Sequence, residues 1–457
     1  MPAACWTVSG RARRSRNVAR LTLIAAFAVA PFAVTPFLAF SPVLASPAPP
    51  VQAVAPERGA APVAEGSVTQ GAVTLGVDVL LTERASLLAG KRIGLITNSP
   101  AVDGKGISVL ERLLADPRMD VAAILTPEHG LKADRQGDIA SSTLESPLGG
   151  ASRPSKGLSA SGKREADLPI HSLYGPTKKP KPEMLKGLDV LVIDLPDVGA
   201  RFYTYASTMA LAMQAARDAG IPFVVLDRPN PINGLGVEGF RLDPKLASFV
   251  GYYPIPVRHG MTMGEMARMF NEAFGIGCDL TVVPMKGWKR GMYFETTGLP
   301  WAKPSPAMLR PVTAILYPGI CLFEASNVDC RMGDRPFERV GAPWINGEKL
   351  AAALNARKLP GVRFIPTRVG EKRGVEIVLQ DRERFQAVRT GAVMLEEIQR
   401  LHPGKLKLEP KGFDRMAGNS QLRDALAKKT PVDAVVKAWE RDAAEFVKQR
   451  EPFLLYD

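Results

Sequence analysis

Residues able to do acid–base and ion-pair chemistry follow directly on short apolar runs in this chain. Arg92–Asn98 (RIGLITN) ends in Asn98, and Val121–Leu125 runs into Thr126-Pro127-Glu128-His129-Gly130. Leu188–Leu195 delivers Asp194, then Asp197 and Arg201, and Ile221–Leu226 delivers Asp227, Arg228 and Asn230. Carboxylates, an imidazole, guanidinium groups and an amide gathered at one place are what proton transfer on a polar substrate requires. Asp and Asn at strand ends also form turns, so the set carries more weight than any member. Glu128 is the sharpest candidate. A tight turn through Pro127 and Gly130 would present it at a rim, and neighbouring aromatics would favour its protonated form, ready to donate to a leaving oxygen. Asp194, Asp197 and Asp227 compete as its carboxylate partner. Arg201, Tyr203 and Tyr205 fall close to the same rim, where an arginine can fork onto a carboxylate and tyrosines can stack and donate. Arg258-His259 is a second cation–imidazole pair, and segments 323–327 and 334–338 flank a presumed domain join, where clefts commonly form.

For these residues to meet, the runs must be neighbouring strands of one parallel sheet. Continuous apolar runs alternate with helical patterns at Ile107–Ala115, Ala206–Ala219 and Met263–Phe274, and a fifth run follows at Leu280–Pro284. Unbroken apolar strands separated by helices mark a sheet covered on both faces, with ligands beyond the carboxyl ends of its strands. The pattern predicts a Rossmann-like, doubly wound α/β domain over 71–310 and a smaller C-terminal α+β domain over 311–457. The latter carries helices near 347–357, 384–401 and 432–449 and strands near 361–366 and 374–380. Residues 138–168, rich in Ser, Gly and Lys, read as a loop.

The amino terminus reads differently. Arginines end at Arg20, residues 21–40 carry no charge, and Val43-Leu44-Ala45 has the small-residue spacing of a signal-peptidase site. Residues 1–45 are therefore expected to be a signal peptide, with an uncleaved anchor as the alternative, and the Ala/Pro-rich stretch 46–70 a linker. Export to the periplasm or beyond follows. No later run is long and apolar enough to span a bilayer. The formal charge is +13; without the five arginines of the first 45 residues, 54 basic residues face 46 acidic ones, or +8. That surplus is spread along the chain, unlike the clustered cations of a nucleic-acid binder. Four cysteines and four histidines show neither CxxC nor HExxH spacing, so no metal site is expected. Gly234-Leu235-Gly236-Val237-Glu238-Gly239 matches GxGxxG, but prolines precede it and no helix opens within it, so no nicotinamide cofactor is expected.

Further runs complete a pattern. TPEHG (126–130), SLYG (172–175), DVG with YTY (197–205), DRPNP (227–231) followed by VEG (237–239), RHGMT (258–262), GAPW (341–344), GFDRMAG (412–418) and FLLY (453–456) together resemble the bacterial exo-β-N-acetylmuramidase family over about residues 74–457. The resemblance implies an exported glycoside hydrolase with a Rossmann-like and a smaller domain. It would release N-acetylmuramic acid from the non-reducing end of peptidoglycan fragments, without a cofactor. It places the family's favoured catalytic Glu at Glu128. Asp197 and Asp227 stand as further catalytic carboxylates. Asn98, His129, Asp194, Arg201, Tyr203, Tyr205, Arg228, Asn230, Glu238, Arg258, His259 and Asn327 stand as binding residues. The lactyl carboxylate of muramic acid gives Arg201, Arg228 or Arg258 something to bind. Ala307 stands where the family commonly has Asn. A noncatalytic periplasmic binding protein for cell-wall saccharides is the alternative, and no oligomeric state is fixed.

Overall fold

In the computed structural model, residues 73–134, 142–143 and 168–457 are described; the expected signal segment, the linker and most of the 138–168 loop lie outside them. The described residues belong to one compact unit. Its centre is a seven-stranded sheet. The strands are β1 (Arg92–Ile96), β2 (Asp120–Thr126), β3 (Ser142–Thr143), β4 (Pro169–Ser172), β5 (Val190–Ile193), β6 (Phe223–Leu226) and β7 (Leu280–Val283), in the order β3-β4-β2-β1-β5-β6-β7. Six of these are parallel, and only β3 runs antiparallel, against β4. The all-apolar runs VLVI and FVVL form β5 and β6, and every residue in them is buried. That is the signature of strands covered on both faces. Beginning at β1, the chain adds strands first on one side and then on the other. The order therefore reverses between β1 and β5, where open α/β sheets bind ligands.

Helices α1 (Gly76–Glu83), α2 (Val109–Ala115), α3 (Pro182–Leu185), α4 (Tyr205–Ala219) and α5 (Met263–Glu272) accompany this sheet. Gly220 ends α4 in the left-handed conformation (φ 67°), where its N–H reaches the carbonyls of Ala216 and Arg217. Thr262 and Glu265 close a reciprocal capping box at the start of α5.

The second half is built from α6 (Pro311–Ile320), α7 (Gly347–Ala356), α8 (Ala387–Leu401), α9 (Pro410–Ala417), α10 (Gln421–Lys428) and α11 (Val432–Arg450). With them goes an antiparallel sheet of β8 (Arg339–Ala342), β9 (Val362–Val369) and β10 (Lys372–Leu379), with β10 central. Helices α6 and α8 touch backbone to backbone. A Cβ on Gly319 would lie 1.8 Å from the Ala387 carbonyl oxygen, and one on Gly391 2.2 Å from that of Gly319. The C-terminal tail then returns to the first sheet, where the Tyr456 hydroxyl donates to Asp227 at 2.6 Å and the Leu455 N–H to Glu265 at 2.9 Å. The two halves share one continuous apolar core, running from Leu125 and Tyr205 to Phe337 and Phe446. Among the described residues, no helix is long and apolar enough to cross a membrane.

Candidate active site

At the end of β2 the Gly130 N–H donates to the Pro127 carbonyl at 3.1 Å, closing a turn around Glu128 and His129. His129 (φ 73°) and Gly130 (φ 71°) are both left-handed, and a non-glycine residue in that region is uncommon and strained, a strain retained most often at functional sites. The turn leaves Glu128 and His129 half-buried. Glu128 Oε2 accepts a 2.7 Å hydrogen bond from the Thr204 hydroxyl. Thr204 is the N-cap of α4, and its side chain caps nothing there; it holds the glutamate instead. Glu128 Oε1 has no hydrogen-bond partner among the described residues.

Beneath this pair, Asn98 Nδ2 donates to the Tyr205 hydroxyl at 2.8 Å, and that hydroxyl lies 3.1 Å from the Pro304 carbonyl and 3.5 Å from the Glu128 carbonyl. Burial holds the Tyr205 and Tyr203 hydroxyls above the ordinary tyrosine range, so both are neutral hydrogen-bonding groups at neutral pH.

Glu128, His129, Tyr203 and Thr204 face a cavity of about 110 Å³. Much of the rest of its wall comes from Ser305 to Met308, just before α6, and from Tyr317, Cys321, Glu324, Arg331 and Phe337 of the second half of the chain. Edge-on aromatic contacts line it, with ring centroids 5.2 Å apart for Phe202 and Tyr317 and 4.8 Å for Tyr317 and Phe337. Glu324 shares the wall with Glu128 and receives the Arg331 Nε–H at 2.7 Å. Ala307 lies on this wall too.

The remaining sequence candidates have other positions. Asp194 is buried against Arg228, which also donates to the Val102 carbonyl at 2.8 Å; burial raises the Asp194 carboxyl and the guanidinium opposes the rise. Arg228 and Asp197 line a separate small cavity that shares Pro304 with the structure under Glu128. Asp197 Oδ2 accepts from the Gly199 N–H at 2.8 Å and lies 3.4 Å from His259 Nε2. His259 Nδ1 accepts the Met261 N–H at 3.2 Å, which places the ring proton of neutral His259 on Nε2, toward Asp197.

Several candidates are committed to the fold, and their expected places at the site are corrected. Asp227 is fully buried, with Oδ1 accepting from the N–H groups of Arg228 and Gly264 and Oδ2 from the hydroxyls of Thr262 and Tyr456. Desolvation pushes its carboxyl up to about 6. Arg201, expected to grip a carboxylate, donates instead to four carbonyls, those of Phe240, Ile255, Arg415 and Met416, and burial lowers it to about 9. Arg258 pairs with Glu238 at 2.7 Å, and Glu238 in turn accepts the Val388 N–H at 2.9 Å, tying the first half to α8. Asn230 bonds the Met261 carbonyl and the Ile232 N–H, and Asn327 is exposed and bonded to 405–407. Two glycines of the GxGxxG run make room for arginines: a Cβ on Gly234 would lie 2.6 Å from the Arg290 side chain, and one on Gly236 2.4 Å from the Arg258 guanidinium carbon. Among the described residues no group of His, Cys, Asp and Glu is placed to hold a metal ion.

Residue-type reasoning passes over Thr204, Ser305, Glu324 and Arg331. Thr204 lies inside the YTY run and Glu324 inside a segment flanking the domain join, but neither is a strand-end residue.

Sequence profiles of the two parts of exo-β-N-acetylmuramidase NamZ match residues 93–311 and 315–456. The chain belongs to this family. It is 42% identical over 393 residues to the peptidoglycan β-N-acetylmuramidase NamZ of Bacillus subtilis (strain 168), covering 83% of this chain and 91% of that relative. Two crystal structures of DUF1343 family proteins from Bacteroides fragilis NCTC 9343 share the fold, with TM-scores of 0.75 and 0.64 at 33% and 28% identity. Each match covers 84% of this chain and 99% of the other. Membership makes this NamZ-family chain a glycoside hydrolase, and the TPEHG turn that raises Glu128 lies within the first matched region.

Proposed function

We propose that this enzyme releases N-acetylmuramic acid from the non-reducing end of peptidoglycan fragments, with Glu128 as general acid and base. The observation that carries the reading is the Thr204–Glu128 hydrogen bond on the wall of a cavity closed by both halves of the chain. Thr204 fixes Oε2 and so sets the plane of the carboxyl, leaving Oε1 to carry the proton to the glycosidic oxygen. As the proton leaves, negative charge grows on the carboxylate and the Thr204 hydrogen bond strengthens, so it stabilises the transition state more than the ground state. The aromatic side chains of Phe202, Tyr203, Tyr317 and Phe337 supply apolar surface for the sugar ring. An oxocarbenium-like centre then takes water, activated by the same carboxylate if the reaction retains configuration. A cavity of about 110 Å³ suits one terminal sugar better than an internal segment of a long glycan, which supports exo action. The uncharged stretch 21–40 supports export, to the periplasm or beyond.

Incubation with 4-nitrophenyl N-acetyl-β-muraminide, with the N-acetylglucosaminide as control, tests the reading. Release of nitrophenol from the first and the monosaccharide as product from wall disaccharides are expected. Cleavage within long glycans, or no cleavage of either glycoside, contradicts it.

A further inference from the structure

The arginines that the sequence offered for the lactyl carboxylate of muramic acid are spent elsewhere: Arg201 on four carbonyls, Arg228 on Asp194, Arg258 on Glu238. The cavity that holds Glu128 has another cation. Arg331 is the one Lys or Arg on its wall among the described residues. We infer that Arg331 reads the lactyl carboxylate and so sets the preference for muramic acid over N-acetylglucosamine, which lacks that group. This rests on the muramidase reading above.

Three features suit Arg331 to the task. Its side chain keeps 41% of its surface exposed although it borders the cavity, so a ligand can reach it. Its guanidinium lies 4.9 Å from the centroid of the buried Phe337 ring, which supports one face and leaves the edges for in-plane hydrogen bonds. Its Nε and Nη2 both bond one oxygen of Glu324, Oε1, and Nη1 has no bond among the described residues. A guanidinium with one edge committed and another available can take a second carboxylate without releasing the first.

The backbone that carries Arg331 is firmly placed. Its N–H donates to Asp329 Oδ1 at 2.7 Å, and Asp329 exchanges two 2.9 Å backbone hydrogen bonds with Gly341, in β8. Lys372 neutralises Asp329 at 2.6 Å, leaving Glu324 as the carboxylate paired with the guanidinium. A neutral sugar would leave this arrangement unused. Muramic acid, seated with its glycosidic oxygen at Glu128, would carry its lactyl group within the same cavity, whose lining includes Arg331.

The test compares three chromogenic glycosides on the full-length enzyme: the N-acetyl-β-muraminide, its lactyl amide, which is the same size and uncharged, and the N-acetylglucosaminide. Wild type is expected to prefer the acid over the amide, and Arg331→Met, which keeps an apolar stem over Phe337, to lose that preference. The loss should appear as a fall of roughly ten- to a hundredfold in kcat/KM on the acid, the range of a charge-assisted hydrogen bond, with turnover of the amide little changed. Arg331→Lys keeps the charge without the fork and is expected to fall between the two, with thermal melting reporting that each variant is folded. A wild type that treats acid and amide alike overturns the inference, as does a folded Arg331→Met enzyme that discriminates as well as wild type. In both cases the muramidase reading survives. A wild type that cleaves none of the three overturns that reading itself, and the inference with it.

Discussion

Replacing Asp227 by Asn separates a structural carboxylate from a catalytic one, and pH makes the separation quantitative. Asp227 is buried at the end of β6, and its hydrogen bonds join the start of α5 to the C-terminal tail. Desolvation outweighs those bonds and pushes its carboxyl from 3.8 up to about 6. The folded state therefore keeps this proton over a range in which the unfolded chain has released it. Below about pH 4 both states are protonated and the group costs nothing. As pH rises toward 6 the unfolded state is favoured progressively, and above 6 both are ionised and the cost is constant. Moving a carboxyl from 3.8 to about 6 corresponds to roughly 3 kcal/mol of stability lost across that window. Asn can occupy the site, since its oxygen can face the N–H groups of Arg228 and Gly264 and its NH₂ the hydroxyls of Thr262 and Tyr456, which can rotate to accept. Urea unfolding of both proteins from pH 4 to 8 gives the difference, in which all other titrating groups cancel. Wild type is expected to lose stability relative to Asp227→Asn between pH 4 and 6 and to run parallel to it above. A difference that is flat or rising over that window refutes the reasoning. Turnover of the folded Asn variant should persist; its loss in a folded protein would return Asp227 to the catalytic set.

Two other expectations follow from the same reading of buried bonds. Arg201→Ala leaves four carbonyls without their donor and is expected to cost about 3–5 kcal/mol in urea unfolding, with KM unchanged in whatever protein folds; an unchanged stability with a raised KM would make Arg201 a substrate ligand after all. Thr204→Val removes the hydroxyl that holds Glu128 while keeping its shape, and kcat is expected to fall roughly ten- to a hundredfold with the melting temperature little changed; wild-type kcat would show that Thr204 does not support the acid.

The sheet is legible in the sequence because its strands obey a simple rule. VLVI, FVVL and the IGLI of β1 are buried on both faces, and a run without polar interruption admits few other readings. Strand β4 escapes such a reading because Pro169-Ile170-His171-Ser172 has neither an apolar run nor alternation of large residues; its place beside β2 is set by tertiary pairing. Helix α6 is hidden by Pro311 and Pro318, although the first sits at its first position, where proline is tolerated, and the second only two residues from its end. Residue type and position after a strand single out Glu128, His129 and Tyr203, which the fold brings to one cavity. The same logic overreaches with Arg201, Arg258 and Asp227, because a buried charge bonded to backbone groups and a charge bonded to ligand look alike in sequence. What tells them apart is how many partners the fold supplies: four carbonyls surround Arg201, whereas Arg331 has an edge free. Arg331 and Glu324 reach the cavity only because the second half folds back over the first, a contact between residues distant in the chain that no local pattern encodes.

Kinetics of Glu128→Gln on 4-nitrophenyl N-acetyl-β-muraminide test the central claim most directly. The amide keeps the Oε position facing Thr204 but is no acid at neutral pH, so sugar release is expected to fall by at least about 10²-fold with the unfolding transition unchanged. A folded Glu128→Gln variant that releases the sugar at the wild-type rate would show that the proton comes from elsewhere and contradict the account.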